Sequence, residues 1–102
     1  MIFVVAIITA KPGRLEEALA AFRANVPAVR AEAGCIEYAA ALDAEGLGGF
    51  QAPLGPDTFA VIEKWESVEA LKAHAAAPHM RAYASQTKDA LAKRVIHVLS
   101  PA

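Results

Sequence analysis

Residues 2–9, IFVVAIIT, form an unbroken apolar run dominated by β-branched side chains, closed by Lys11-Pro12-Gly13. Stiff branched residues favour extended backbone, and a run without polar alternation predicts a strand buried on both faces. Such a strand needs other layers against it. The run is also far shorter than the ~20 residues a helical membrane span requires. It lacks the basic flank and cleavage pattern of a secretory leader.

The rest of the chain supplies those layers. Pro12 suits a first helical turn, and Leu15, Leu19, Phe22, Val26 and Val29 recur at four- and three-residue steps, the spacing of one helix face. Pro27 interrupts that stripe and predicts a kink or break. Gly34 ends the helix, and CIEYAAAL reads as a second strand with Ile36 and Tyr38 on one face and Cys35 and Glu37 on the other. FAVIEKWE, residues 59–66, reads as a third strand carrying Phe59, Val61, Glu63 and Trp65 on one face. Ser67 is placed to cap a second helix, whose stripe of Val68, Leu71 and Ala75 leaves His74 on the flank. Pro78 splits that helix, a third segment runs to about Lys93, and VIHVLS closes the chain as a fourth strand.

The order β-α-β-β-α-β is that of a ferredoxin-like α+β fold: a four-stranded antiparallel sheet with helices on one face. Residues 1–102 are expected to form one domain, since a second core would have too little chain. Apolar residues make up 56% of the sequence, but alanines bury little area each, so self-association is a natural way to cover the open sheet face. Strands two and three are joined by residues 43–58, which hold four of the six glycines, far more chain than a hairpin needs. That segment reads either as a plain surface loop or as a lid or subunit-clasping arm gripping through Phe50 and Leu54.

Net charge is −1 and no basic stripe is present, which argues against nucleic acid as a partner. Cys35 is the only cysteine, so no intrachain disulfide can form and a cytoplasmic location is expected.

The residues with chemical potential cluster in EKWESVEALKAHAAAPHMRAY, residues 63–83. A metal site is disfavoured because His74 and His79 lie five apart across a helix break. Each imidazole either lines a half-closed cavity or hydrogen-bonds a carbonyl beside the core. Glu63, sharing its face with Trp65 and Phe59, must be paired, hydrated or protonated. No phosphate loop, nucleophile elbow or dinucleotide fingerprint occurs.

KPGRLEEAL, AEAGCIEYAAALDAE, FAVIEKWESVEALKAHAAAPHMRAY and VIHVLSPA together resemble the antibiotic biosynthesis monooxygenase (ABM) domain family, within it the bacterial quinol monooxygenases. The resemblance implies a homodimeric α+β barrel with a cavity between sheet and helices. It also implies oxidation of a flat quinol or polyphenol by O2 without flavin, haem or metal. Transferred to this sequence, it offers His74 or His79 as base, Glu63 to orient it, and Tyr83 or Tyr38 as hydrogen-bond partner of a ring oxygen. Trp65, Met80 and Phe50 complete the expected substrate surroundings. Haem-degrading members differ where it matters: VVAII lacks their asparagine, His74 stands at their tryptophan, and Ala84 at their ligating histidine. Two alternatives stay open: a non-catalytic module that holds a quinone-type ligand, and a non-redox isomerase of the same fold acting on phosphorylated sugars. Few basic residues are expected near the pocket, against the latter.

Overall fold

The computed structural model describes residues 1–102. The elements follow the order β1 (Ile2–Ala10), α1 (Leu15–Arg30), β2 (Cys35–Ala41), β3 (Thr58–Trp65), α2 (Val68–Ala76), α3 (Pro78–Thr87) and β4 (Leu91–Leu99). The strands form one antiparallel sheet in the order β2-β3-β1-β4, with all three helices on one face, as expected for a ferredoxin-like plan.

The core lies between this face and α1. Ile2, Val4, Ala6 and Ile8 of β1 and Phe59, Val61 and Trp65 of β3 meet Leu19, Phe22 and Val29 of α1. Phe22 anchors the contact, stacking on Tyr38 at 5.1 Å between centroids and meeting Phe59 edge-on at 5.9 Å. Such aromatic contacts add about 0.5–1.5 kcal/mol beyond burial.

Several local expectations are corrected. β1 is buried on one face only, its alternate residues Phe3, Val5, Ile7 and Thr9 being half-exposed on the other. α1 continues through Pro27, because that residue faces solvent, where the unbonded carbonyl of Arg23 can be hydrated. The last helix stops at Thr87, and β4 begins at Leu91 instead of Val95. In α2 the buried residue is His74, whereas Val68 is exposed, so the inward face is turned toward the histidine.

The largest correction concerns β2. Cys35 pairs with Trp65 and Glu37 with Lys64, leaving Ile36 as an extra residue in a bulge. The bulge reverses the alternation, so Cys35 and Tyr38 both face the helices while Ile36 is 49% exposed.

The segment joining β2 to β3 is held at its base. The Leu54 N–H donates to Asp43 Oδ1 at 2.9 Å, and the Gln51 amide donates to the same oxygen at 3.3 Å. Phe50, in a short 3₁₀ turn at Gly48–Phe50, is 91% exposed.

Candidate active site

The turn between α1 and β2 builds one side of the site. The Glu32 N–H donates to the Val29 carbonyl, and the Glu32 carbonyl accepts from the Cys35 N–H, which fixes this residue at the mouth of β2. Gly34 follows with φ +83°, and a Cβ at this position would lie 2.6 Å from the Ala70 Cβ. Only glycine allows the turn to approach α2 this closely. The Ser67 hydroxyl accepts the Ala70 N–H at 3.1 Å, capping α2 and setting its direction over the turn.

Brought together in this way, Glu32 Oε2 lies 2.9 Å from His74 Nδ1 and 2.7 Å from His79 Nε2. The break at Ala77-Pro78 turns α3 so that both imidazoles reach one oxygen. An ionised carboxylate only accepts hydrogen bonds, so both of these ring nitrogens carry hydrogens. That fixes the tautomer of a neutral His74 and leaves its Nε2 lone pair free. His74 Nε2 lies 4.0 Å from Glu63 Oε1, the oxygen that accepts the Trp65 indole N–H at 2.9 Å. The Trp65 ring lies against the His74 ring at 4.6 Å, and Tyr38 meets it edge-on at 5.5 Å.

These side chains open onto a cavity of about 730 Å³ between β1, β4 and the two short helices. Glu63, His74, Tyr38, Tyr83 and Met80 line it. Trp65 does not; it is fully buried behind His74. His79 also lies outside the lining, more exposed than His74 and reaching the site through Glu32. Phe50 projects from its arm and takes no part in this chain's cavity. The expectation of few basic residues nearby is corrected, since Arg81, Lys88, Lys93 and Arg94 border the cavity.

Burial raises the Glu63 carboxyl above the usual carboxylate range, with the indole hydrogen bond and His74 opposing the shift. Burial also pushes both tyrosines up, Tyr38 strongly, with the nearby carboxylates adding to the effect there. At neutral pH both phenols keep their protons and are able to donate a hydrogen bond. Cys35 is likewise raised by burial, which leaves it a poor nucleophile. No group of three or more His, Cys, Asp or Glu side chains is arranged to hold a metal ion.

Glu32 is absent from the residues singled out in the sequence. It lies 42 and 47 positions from its two histidines, in a turn with no periodicity of its own. The available signal was an acidic residue two positions before a glycine that ends a helix.

Residues 1–86 match the family model described as antibiotic biosynthesis monooxygenase. Over 103 aligned residues the chain is 37% identical to the Escherichia coli K12 protein named "Probable quinol monooxygenase YgiN", covering 99% of this chain and 98% of that one. Among solved structures, PA3566 from Pseudomonas aeruginosa matches with a TM-score of 0.82 and 29% identity, over 99% of this chain and 93% of its own. Rv0793 from Mycobacterium tuberculosis matches with a TM-score of 0.80 and 25% identity, over 99% and 94% respectively.

Proposed function

The chain belongs to the antibiotic biosynthesis monooxygenase family, and from that premise we propose that it oxidises a quinol or polyphenolic aromatic substrate with O2. The carrying observation is His74: its Nδ1 is held by Glu32 while the imidazole lines a mostly apolar cavity large enough for a fused aromatic ring. Residues 1–102 act in this reading as a single domain.

A quinol hydroxyl has a pKa near 10, so at neutral pH it needs a base. His74 Nε2 takes the phenolic proton, and the imidazolium that forms is stabilised by Glu32 at 2.9 Å. His79, on the same carboxylate, holds Glu32 in place. Tyr38 and Tyr83 donate hydrogen bonds to ring oxygens, and Met80 supplies apolar contact. The quinolate passes an electron to O2, and recombination of the resulting pair forms a ring C–O bond. Loss of water then gives a hydroxyquinone: quinol plus O2 yields hydroxyquinone plus H2O, with all four electrons drawn from the substrate.

The half-exposed outer sheet face, with Phe3, Val5, Ile7 and Ile62, is proposed as the contact between two copies of the chain. The arm bearing Phe50 reaches in this reading toward the second copy.

The test is O2 uptake with menadiol and related quinols, corrected for spontaneous oxidation and repeated without O2. Uptake above background and no turnover under argon are expected. Turnover that persists under argon assigns a non-redox isomerase, and binding without turnover assigns a ligand-holding module.

A further inference from the structure

The cavity gathers charge of one sign. Of the ten lysines and arginines in the chain, Arg81, Lys88, Lys93 and Arg94 border it, whereas Glu63 is the only one of eleven acidic residues that does. Lys93 is paired with Thr9 on the outward side of the sheet, which leaves Arg81, Lys88 and Arg94 as the cations on the cavity side of a chain with net charge −1. None of the four forms an ion pair; the salt bridges of the molecule join other groups. Arg81 reaches only the Ala76 carbonyl, at 3.3 Å. All four are solvent-exposed, so an anion among them gains an attraction that added salt screens.

The cations also sit on one side. Arg81 and Lys88 lie on α3 and just beyond its end, and Arg94 lies on β4. Glu63, His74 and Tyr38 stand at the opposite wall, on β3, α2 and β2. Fifteen of the twenty-two lining residues are hydrophobic, which suits an aromatic body. We infer that the substrate is an aromatic quinol bearing an oxyanion substituent, its phenolic end at His74 and its anionic group between Lys88 and Arg94. This inference rests on the quinol reading above and narrows it to acidic ring compounds.

The test is anaerobic binding calorimetry with 1,4-dihydroxy-2-naphthoate, naphthoquinone-2-sulfonate and the neutral 1,4-dihydroxynaphthalene. We expect either anion to bind about tenfold or more tightly than the neutral diol at low ionic strength, the preference fading with added salt. Comparable affinity for both anions assigns a general oxyanion site; a preference for the naphthoate alone assigns a carboxylate site. In Lys88→Gln/Arg94→Gln the gap between charged and neutral ligands should narrow to about twofold. Equal binding of neutral and charged ligands by the wild type, or a gap unchanged in the double variant, overturns the inference. So does a change in molar mass of the double variant by light scattering, which assigns the cations to a subunit contact. Binding and O2-dependent turnover of the neutral diol without anion preference overturns this inference while the quinol reading stands; failure of all three ligands to bind overturns both.

Discussion

Glu32 and His74, 42 positions apart in the chain, meet at 2.9 Å through Oε2 and Nδ1. The pairing decides which imidazole nitrogen is left to act. We expect Glu32→Gln to lower kcat/KM for a quinol by about 10- to 100-fold while the fold persists, because an amide can donate to one histidine and reverse its tautomer. Glu32→Asp should recover part of the loss. Rates within twofold of wild type in Glu32→Gln would remove this carboxylate from the mechanism.

The two histidines should separate in kinetics. His74→Asn removes the proposed base and should reduce kcat by about 10²- to 10⁴-fold. His79→Asn leaves Glu32 with one partner fewer and should cost about tenfold or less. Steady-state O2 uptake at saturating substrate checks both, and a reversed ranking would transfer the base role to His79.

Glu63 supplies a pH dependence of stability. Its carboxyl is raised above 4.5 in the folded protein, so the folded state holds this proton more tightly than the unfolded chain does. The stability gained is fully present below that unfolded value and is lost as pH rises through the raised one. Glu63→Gln can still accept the Trp65 indole hydrogen bond and has no proton to lose. We therefore expect its Tm advantage over wild type to grow from about pH 4 to about pH 8. Parallel melting curves at both pH values would contradict the assignment.

Gly34 is the most demanding backbone position near the site. Gly34→Ala must accept φ +83° and a Cβ 2.6 Å from the Ala70 Cβ, and should destabilise the fold by about 2–4 kcal/mol. Gly13→Ala faces the same sign of φ but meets nothing within 4 Å, so about 1–2 kcal/mol is expected there. Urea unfolding compares the two. Equal losses would show that the close approach to α2 is soft.

The outer sheet face gives an independent check of assembly. Ile62 pairs with Val5 at its centre, and Ile62→Lys places a charge among apolar neighbours. If two copies join there, light scattering should report dimer for wild type and monomer for the variant.

The order of the elements, the starts of the helices and the cap at Ser67 were legible because periodicity and punctuation are local signals. The corrections came where local rules meet tertiary context. Strict alternation puts Ile36 with Tyr38, since it cannot announce a bulge. Alanines on every side of α2 blur its apolar stripe and put His74 on a flank. The contact that gives Glu32 its meaning is made by two helices folded over from the second half of the chain. The basic border has no local signature, because α3 and β4 carry its members at separate points of the sequence.

The extra residue in β2 has a further effect. Ile36 stands outside the ladder, while the residues on either side of it are registered on β3, Cys35 opposite Trp65 and Tyr38 opposite Glu63. Removing Ile36 would restore regular pairing and leave Cys35 and Tyr38 facing inward. The bulge is thus the one place in β2 where a single residue can be lost without turning either side chain away from the site.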